Sequence, residues 1–296
     1  KSLHKHKIFP DYIAGTSMGA VIGAAYAAGY PPAAIEKIAK TTNWDEILDF
    51  VIPREGLLQG KLIEKKLSEI IENKTFEDLD IPFRVVAYDI DNHKRAIFCK
   101  GNVARSVRAS SSIPGVFAPM EIDGTHYIDG VVTDPTPFDV VKNMGADVVI
   151  AVDLYAGKEN VSDGVFVRKQ TLKESLRMKF IVDELLNLKN YLFPARWPGF
   201  LRKVLIWTFD KILYPARVLK MLSGRGLPPI TKTMSETINV LSYNLARERL
   251  KSKDIDIVIT PKFKKLHWND FDKVDQFVKI GEKAMQNKIE ELNKLL

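Results

Sequence analysis

The pentapeptide Gly15-Thr16-Ser17-Met18-Gly19 constrains this chain more than any other feature. Residues 12–14 before it read as the end of a strand. The Ala/Gly-rich run 20–28 after it reads as a helix, stopped by Gly29-Tyr30-Pro31-Pro32. A Gly-x-Ser-x-Gly turn from strand to helix has the spacing of a nucleophile elbow. The bend strains the backbone of the serine and lifts its hydroxyl to the helix N-terminus, where unpaired N–H groups and the helix dipole favour negative charge. The spacing predicts that a side chain at position 15 or 19 would strike neighbouring backbone, so that both must be glycine. It also makes the N–H of Met18 a candidate oxyanion donor.

A serine hydroxyl needs a base. Asp129, in Tyr127-Ile128-Asp129-Gly130, sits at the end of an expected strand, where the sites of α/β proteins collect. Gly130 would permit a tight turn that aims the carboxylate, although an Asp-Gly pair alone is ordinary turn chemistry. The rival is a Ser–Asp–His triad with His267, whose chain order fits other α/β hydrolases but which stands among lysines after a strand. His126, three residues before Asp129, would point to the opposite face of a strand and reads as structural.

The rest of the first half alternates strands and helices. Helices are expected over 32–41, 61–72, 103–110 and 138–144, and strands over 83–89, 95–98, 126–128 and 147–152. The last of these, Asp147-Val148-Val149-Ile150-Ala151-Val152, has the unbroken apolar character of a buried parallel strand. The alternation indicates an α/β sheet with helices on its faces. After residue 156 the chain becomes basic, aromatic and proline-interrupted. Regular structure resumes with a helix near 235–250, a strand over 255–259 and a helix near 272–295. The expected organisation is an α/β core over 1–156, a basic helical insertion over 157–230, and the C-terminal part of the core over 231–296.

Composition narrows the classes. The chain has 296 residues, 46% of them hydrophobic and 27% charged, which fits a globular protein with a substantial core. A single cysteine, Cys99, excludes an internal disulfide and suits a reducing, cytoplasmic setting. With five histidines and no zinc-like spacing beyond His4 and His6, no metal or other cofactor is expected. No apolar run reaches the roughly 18 residues of a spanning helix. Residues 164–227 hold 13 Lys/Arg against 4 Asp/Glu, more than the whole chain's net charge of +7, so the remainder is slightly acidic.

Five segments in order resemble the bacterial patatin-like phospholipase family, near the branch that includes the catalytic domain of neuropathy target esterase. They are DYIAGTSMGAVIGAAYAAGY from Asp11, RASSSIPGVFAPMEIDG from Arg108, YIDGVVTDPTP from Tyr127, GADVVIAVDL from Gly145 and FDKVDQFVKIGEKAM from Phe271. The resemblance covers 8–154 and about 235–296, leaving the insertion unmatched. It implies a patatin-like three-layer α/β fold with a mainly parallel sheet. It also implies a Ser–Asp dyad without histidine, Ser17 as nucleophile and Asp129 as base, acting on phospholipids, lysophospholipids or related esters. A catalytically silent lipid-binding protein on the same fold is the alternative.

Two departures from the family pattern stand out. Val131 replaces a second glycine after Asp129-Gly130. The glycine-rich oxyanion loop and first strand that the family carries before the elbow have no counterpart in residues 1–14. On that ground a polypeptide bounded at Lys1 is expected to be a weakly active, truncated form.

In residues 200–222 nearly all charges fall on one side of a helical projection, and Tyr191, Trp197, Trp207 and Tyr214 supply interfacial rings. The segment reads either as a helix lying on an anionic bilayer, giving peripheral attachment to the inner face of the membrane, or as a lid or dimer surface. No nucleic-acid module accompanies the basic residues. The oligomeric state is not legible.

Overall fold

The computed structural model describes residues 1–42, 49, 58–155, 203, 207, 229–263, 266 and 270–296. His267 and almost all of the basic insertion lie outside them. In chain order the described elements begin with a short helix α1 (Ser2–Lys5), strand β1 (Ile13–Thr16) and helices α2 (Met18–Ala27), α3 (Pro32–Thr41) and α4 (Lys61–Ile70). Then come β2 (Phe83–Asp89), β3 (Lys94–Phe98), α5 (Val103–Ser110), β4 (Met120–Ile122), β5 (Thr125–Asp129) and α6 (Phe138–Asn143). The chain closes with β6 (Ile150–Val152), α7 (Pro229–Arg249), β7 (Ile257–Ile259), α8 (Val274–Gln286) and α9 (Ile289–Asn293). This is a mixed α/β fold, as the alternation of patterns indicates.

β2 organises the larger sheet. Its alternating and continuous apolar run, FRVVAYD, buries Phe83, Val85, Val86 and Ala87 completely. One edge of β2 carries β3 antiparallel, with Val85 opposite Phe98 and Asp89 opposite Lys94. The other edge is shared. β1 runs parallel along its first half, Ile13 opposite Phe83 through Thr16 opposite Val86. β5 runs antiparallel along its second half, Tyr127 opposite Asp89 through Asp129 opposite Ala87. The two strands therefore end head to head, Thr16 beside Val86 and Asp129 beside the next residue of β2. β4 adds a hairpin to β5. A separate two-stranded parallel sheet pairs β6 with β7, as the apolar run at 147–152 suggests.

The helix after the elbow is built from small residues because it lies close on the sheet. Ala20, Ala24 and Ala27 are fully buried in one cluster with Phe83, Val85, Val103 and Val107, against which Leu67 and Ile71 of the α4 region also pack. Burying a large aliphatic or aromatic side chain contributes about 1.5–3 kcal/mol, so this cluster is the main anchor of the site's scaffold. A second cluster, Ile257, Ile259, Met285, Ile289 and Leu292, joins β7 to the C-terminal helices.

The structure corrects one steric expectation. A Cβ on Gly15 would stand 2.5 Å from the carbonyl oxygen of Gly19 and 2.6 Å from the nitrogen of Ala20, because Gly15 lies beneath the first turn of α2. A Cβ on Gly19 meets nothing within 4 Å, since that position faces outward from the turn. Only Gly15 is demanded by collision. Gly15→Ala should therefore cost about 1–3 kcal/mol or more through forced backbone displacement, whereas Gly19→Ala should fold with wild-type stability. Chemical denaturation of the two variants checks this pair, and equal losses would contradict it.

Candidate active site

Ser17 caps α2 with φ 54° and ψ −122°, a left-handed conformation that side chains rarely adopt. Such a residue stores on the order of 1–3 kcal/mol and persists only where its surroundings enforce it. Two bonds around it do so. Its own N–H donates to Ser110 Oγ at 2.8 Å, and the hydroxyl of Thr16 donates to the carbonyl of Asp134 at 2.7 Å. The hydroxyl of Ser17 is thereby turned to Asp129 and donates to its Oδ2 at 2.6 Å. The two residues singled out in the sequence, 112 positions apart, are in direct contact.

Asp129 closes β5 and is 1% exposed. Its other oxygen, Oδ1, accepts the N–H of Val131 at 2.9 Å, and its own N–H donates to the carbonyl of Ser112 at 3.0 Å. Gly130 lets the chain turn here. A Cβ on it would lie 2.3 Å from the carbonyl oxygen of Val86 and 3.0 Å from the methyl of Thr16, at the point where β1 and β5 meet. Burial pushes the Asp129 carboxyl up to about 7, against the pull of its bonds from Ser17 and the Val131 N–H. A carboxylate raised that far is a much better proton acceptor near neutrality than one of ordinary acidity.

The Met18 N–H is the first of α2. By position it has no acceptor within the helix and lies at the positive end of the helix dipole. The side chain of Met18 is 41% exposed, so the approach to the elbow from that side is open to solvent. His126 is away from the pair: its N–H and Nδ1 both engage Asp91 Oδ2, at 2.8 and 3.1 Å. That agrees with its alternation against Asp129 along β5.

Three residues that the sequence reading left without a role complete the site. Ser110 Oγ accepts the Ser17 N–H and donates to the carbonyl of Val86 at 2.6 Å, bridging the break where β1 leaves β2 and β5 begins. Ser112 holds Asp129 through its backbone carbonyl. Arg108, 2% exposed, donates to the carbonyls of Gly60 (3.0 Å), Gln59 (2.6 Å) and Ala118 (3.1 Å) and to the Ser112 hydroxyl, and lies 5.2 Å from the ring centre of Phe117. A buried guanidinium saturated with acceptors in this way fixes the 110–117 loop. The signal was there as an arginine and three serines at the end of an expected helix, but only long-range contacts show what they hold.

Residues 1–142 match the family model for patatin-like phospholipase. Over that stretch, just under half of its length, the chain is similar to patatin-like phospholipases. An NTE family protein of Mycobacterium tuberculosis (strain ATCC 25618 / H37Rv), named as uncharacterized, is 35% identical over 151 residues, covering 48% of this chain and 40% of the relative. Patatin-like phospholipase domain-containing protein 6 of Homo sapiens is 29% identical over 171 residues, 55% of this chain and 12% of that protein. Protein 7 of the same series, from Rattus norvegicus, is 34% identical over 154 residues, 49% and 11%. The matched region thus spans two fifths or less of these relatives' length. No helix among the described residues is long and apolar enough to cross a membrane.

Proposed function

We propose that this chain is a serine acyl hydrolase that releases fatty acid from phospholipid or lysophospholipid esters, with Ser17 as nucleophile and Asp129 as general base. The observation that carries the reading is the 2.6 Å bond from the Ser17 hydroxyl to a buried carboxylate whose proton affinity is raised toward neutrality. In the reaction, Ser17 Oγ attacks the acyl carbonyl and its proton passes to Asp129. The carbonyl oxygen becomes an oxyanion, for which the Met18 N–H at the head of α2 is the donor this chain offers. Collapse expels the alcohol, which takes the proton from Asp129 and leaves an acyl-serine. Water, deprotonated by the same carboxylate, then attacks the acyl carbon, and the fatty acid departs as Ser17 recovers its proton.

Asp129 must be ionised to accept that proton, and burial raises its affinity for it. Activity is therefore lost as pH falls through about 7, tenfold per unit below it, and is retained above. Three results are expected together: labelling of the purified chain by a fluorophosphonate probe, loss of that label in Ser17→Ala, and an acid limb of kcat/KM near 7 on a short p-nitrophenyl ester. An unreactive chain would favour the silent lipid-binding protein, an acid limb near 4 would mean that burial does not raise Asp129, and retained activity in Asp129→Asn would remove it as the base.

We also read the basic segment 164–227 as this chain's contact with an anionic bilayer, since its charge of about +9 and interleaved aromatic rings match that surface. This would set the work of the enzyme on the inner face of a membrane. Flotation with vesicles containing phosphatidylglycerol should carry the whole chain but not a variant lacking 164–227, and binding that survives the deletion contradicts the assignment.

A further inference from the structure

The family match stops at residue 142, yet helix α7, more than eighty residues further on, reaches back to the segment that carries Asp129. Ser242, Ala246 and Arg249 recur at spacings of four and three, so they share one face of α7, and Ser242 and Ala246 are each 1% exposed. At the first position the Ser242 hydroxyl donates to the carbonyl of Val131 at 3.3 Å, the same residue whose N–H binds Asp129.

Two turns on, the guanidinium of Arg249 enters an ion cluster. Its Nε stands 2.9 Å from Asp134 Oδ1, within ion-pair distance though off the line of an ideal hydrogen bond. Another of its nitrogens donates to Asp139 Oδ1 at 2.6 Å, and its charge lies 5.0 Å from the ring centre of Phe138. Arg95 of β3 closes the far side, contacting Asp134 and lying 2.8 Å from Asp139. Asp134 is fully buried, and its backbone carbonyl receives the Thr16 hydroxyl immediately before Ser17.

We propose that α7 is a clamp on the catalytic pair, with Arg249 and Ser242 as positioning residues for the hydrolysis inferred above. Ser242 steadies Asp129 through Val131. Arg249 steadies Ser17 through Asp134 and Thr16. Neither touches substrate; both hold the backbone segment 130–139 against the end of β1. A fully buried carboxylate that loses one of its two cations must relax toward water or toward the other cation. Either shift moves the carbonyl that anchors Thr16, and misplacement by about 1 Å can cost on the order of 100-fold in rate.

The test uses the full chain and the variants Arg249→Met, Arg249→Lys and Ser242→Ala. Fluorophosphonate titration counts the reactive Ser17 in each sample, so that kcat on a p-nitrophenyl ester is expressed per competent site. The expectation is a fall in kcat of roughly 10- to 100-fold for Arg249→Met, a smaller fall for Ser242→Ala, and partial recovery in Arg249→Lys, which keeps the charge but not the fork. The acid limb should also move to higher pH in the first two. Loosening the Ser17 bond in the first, or the Val131 N–H bond in Ser242→Ala, removes an interaction that lowers the proton affinity of Asp129.

A lower melting temperature with wild-type kcat per titrated site and an unmoved acid limb would make the contacts merely structural and overturn the clamp. Should Arg249→Met fail to fold, Ser242→Ala and Arg249→Lys decide by the same two readouts. A wild-type chain that takes no label would instead defeat the hydrolase reading on which the clamp rests.

Discussion

Two strands ending against each other along a single edge of β2 are what the site depends on. β1 reaches Thr16 opposite Val86, and β5 arrives from the other direction to end at Asp129 opposite Ala87. Because adjacent residues of one strand receive the two chain ends, the next side chain after β1 and the last of β5 meet with no designed loop between them. The carbonyl of Val86 faces that junction. Ser110 supplies the hydroxyl that binds it, and Gly130 is the residue that fits against it without a side chain. Strain at Ser17 is tolerable because the surrounding hydrogen bonds leave it no other place.

Electrostatics follow from the same junction. Between two strand ends and beside the 110–117 loop, the carboxylate of Asp129 is buried and, among the described residues, has two direct donors, the Ser17 hydroxyl and the Val131 N–H. Neither is a cation. Burial therefore dominates and raises its proton affinity. Arginines are present, but each is spent on other groups: Arg108 on backbone carbonyls of the loop, Arg95 and Arg249 on Asp134 and Asp139. Placing a guanidinium against Asp129 would have stabilised its charge and made it a poor base. Separating the cations from that one carboxylate leaves its proton affinity raised toward neutral pH.

Much of this was legible from local pattern. The strand at 83–89 and the helices at 32–41 and 103–110 fall where periodicity puts them, because short apolar runs with clear stops leave little choice. The elbow was legible too, since its chemistry is confined to five residues. Elsewhere local signals lost to long-range contacts. The apolar run at 147–152 forms a strand only over Ile150–Val152, and the N–H of Val149 is taken instead by the side chain of Asp256. The expected single helix near 272–295 is broken, with α8 ending at Gln286 and α9 starting at Ile289. The β4–β5 hairpin went unread, although Asp123 and Gly124, both at positive φ, have the composition of a tight hairpin turn. Ser110, Ser112 and Arg249 could not be found at all from spacing, for their roles exist only once β1 and β5 share an edge.

The most direct measurement is the titration of the Asp129 side chain itself, followed by carboxyl carbon chemical shifts in protein labelled at aspartate and assigned with Asp129→Asn. The account predicts a midpoint near 7 that rises further in Ser17→Ala, where the hydroxyl that stabilises the anion is gone. A midpoint near 4, unmoved by Ser17→Ala, would mean that the carboxylate is neither buried nor bonded to Ser17, and the account would fail.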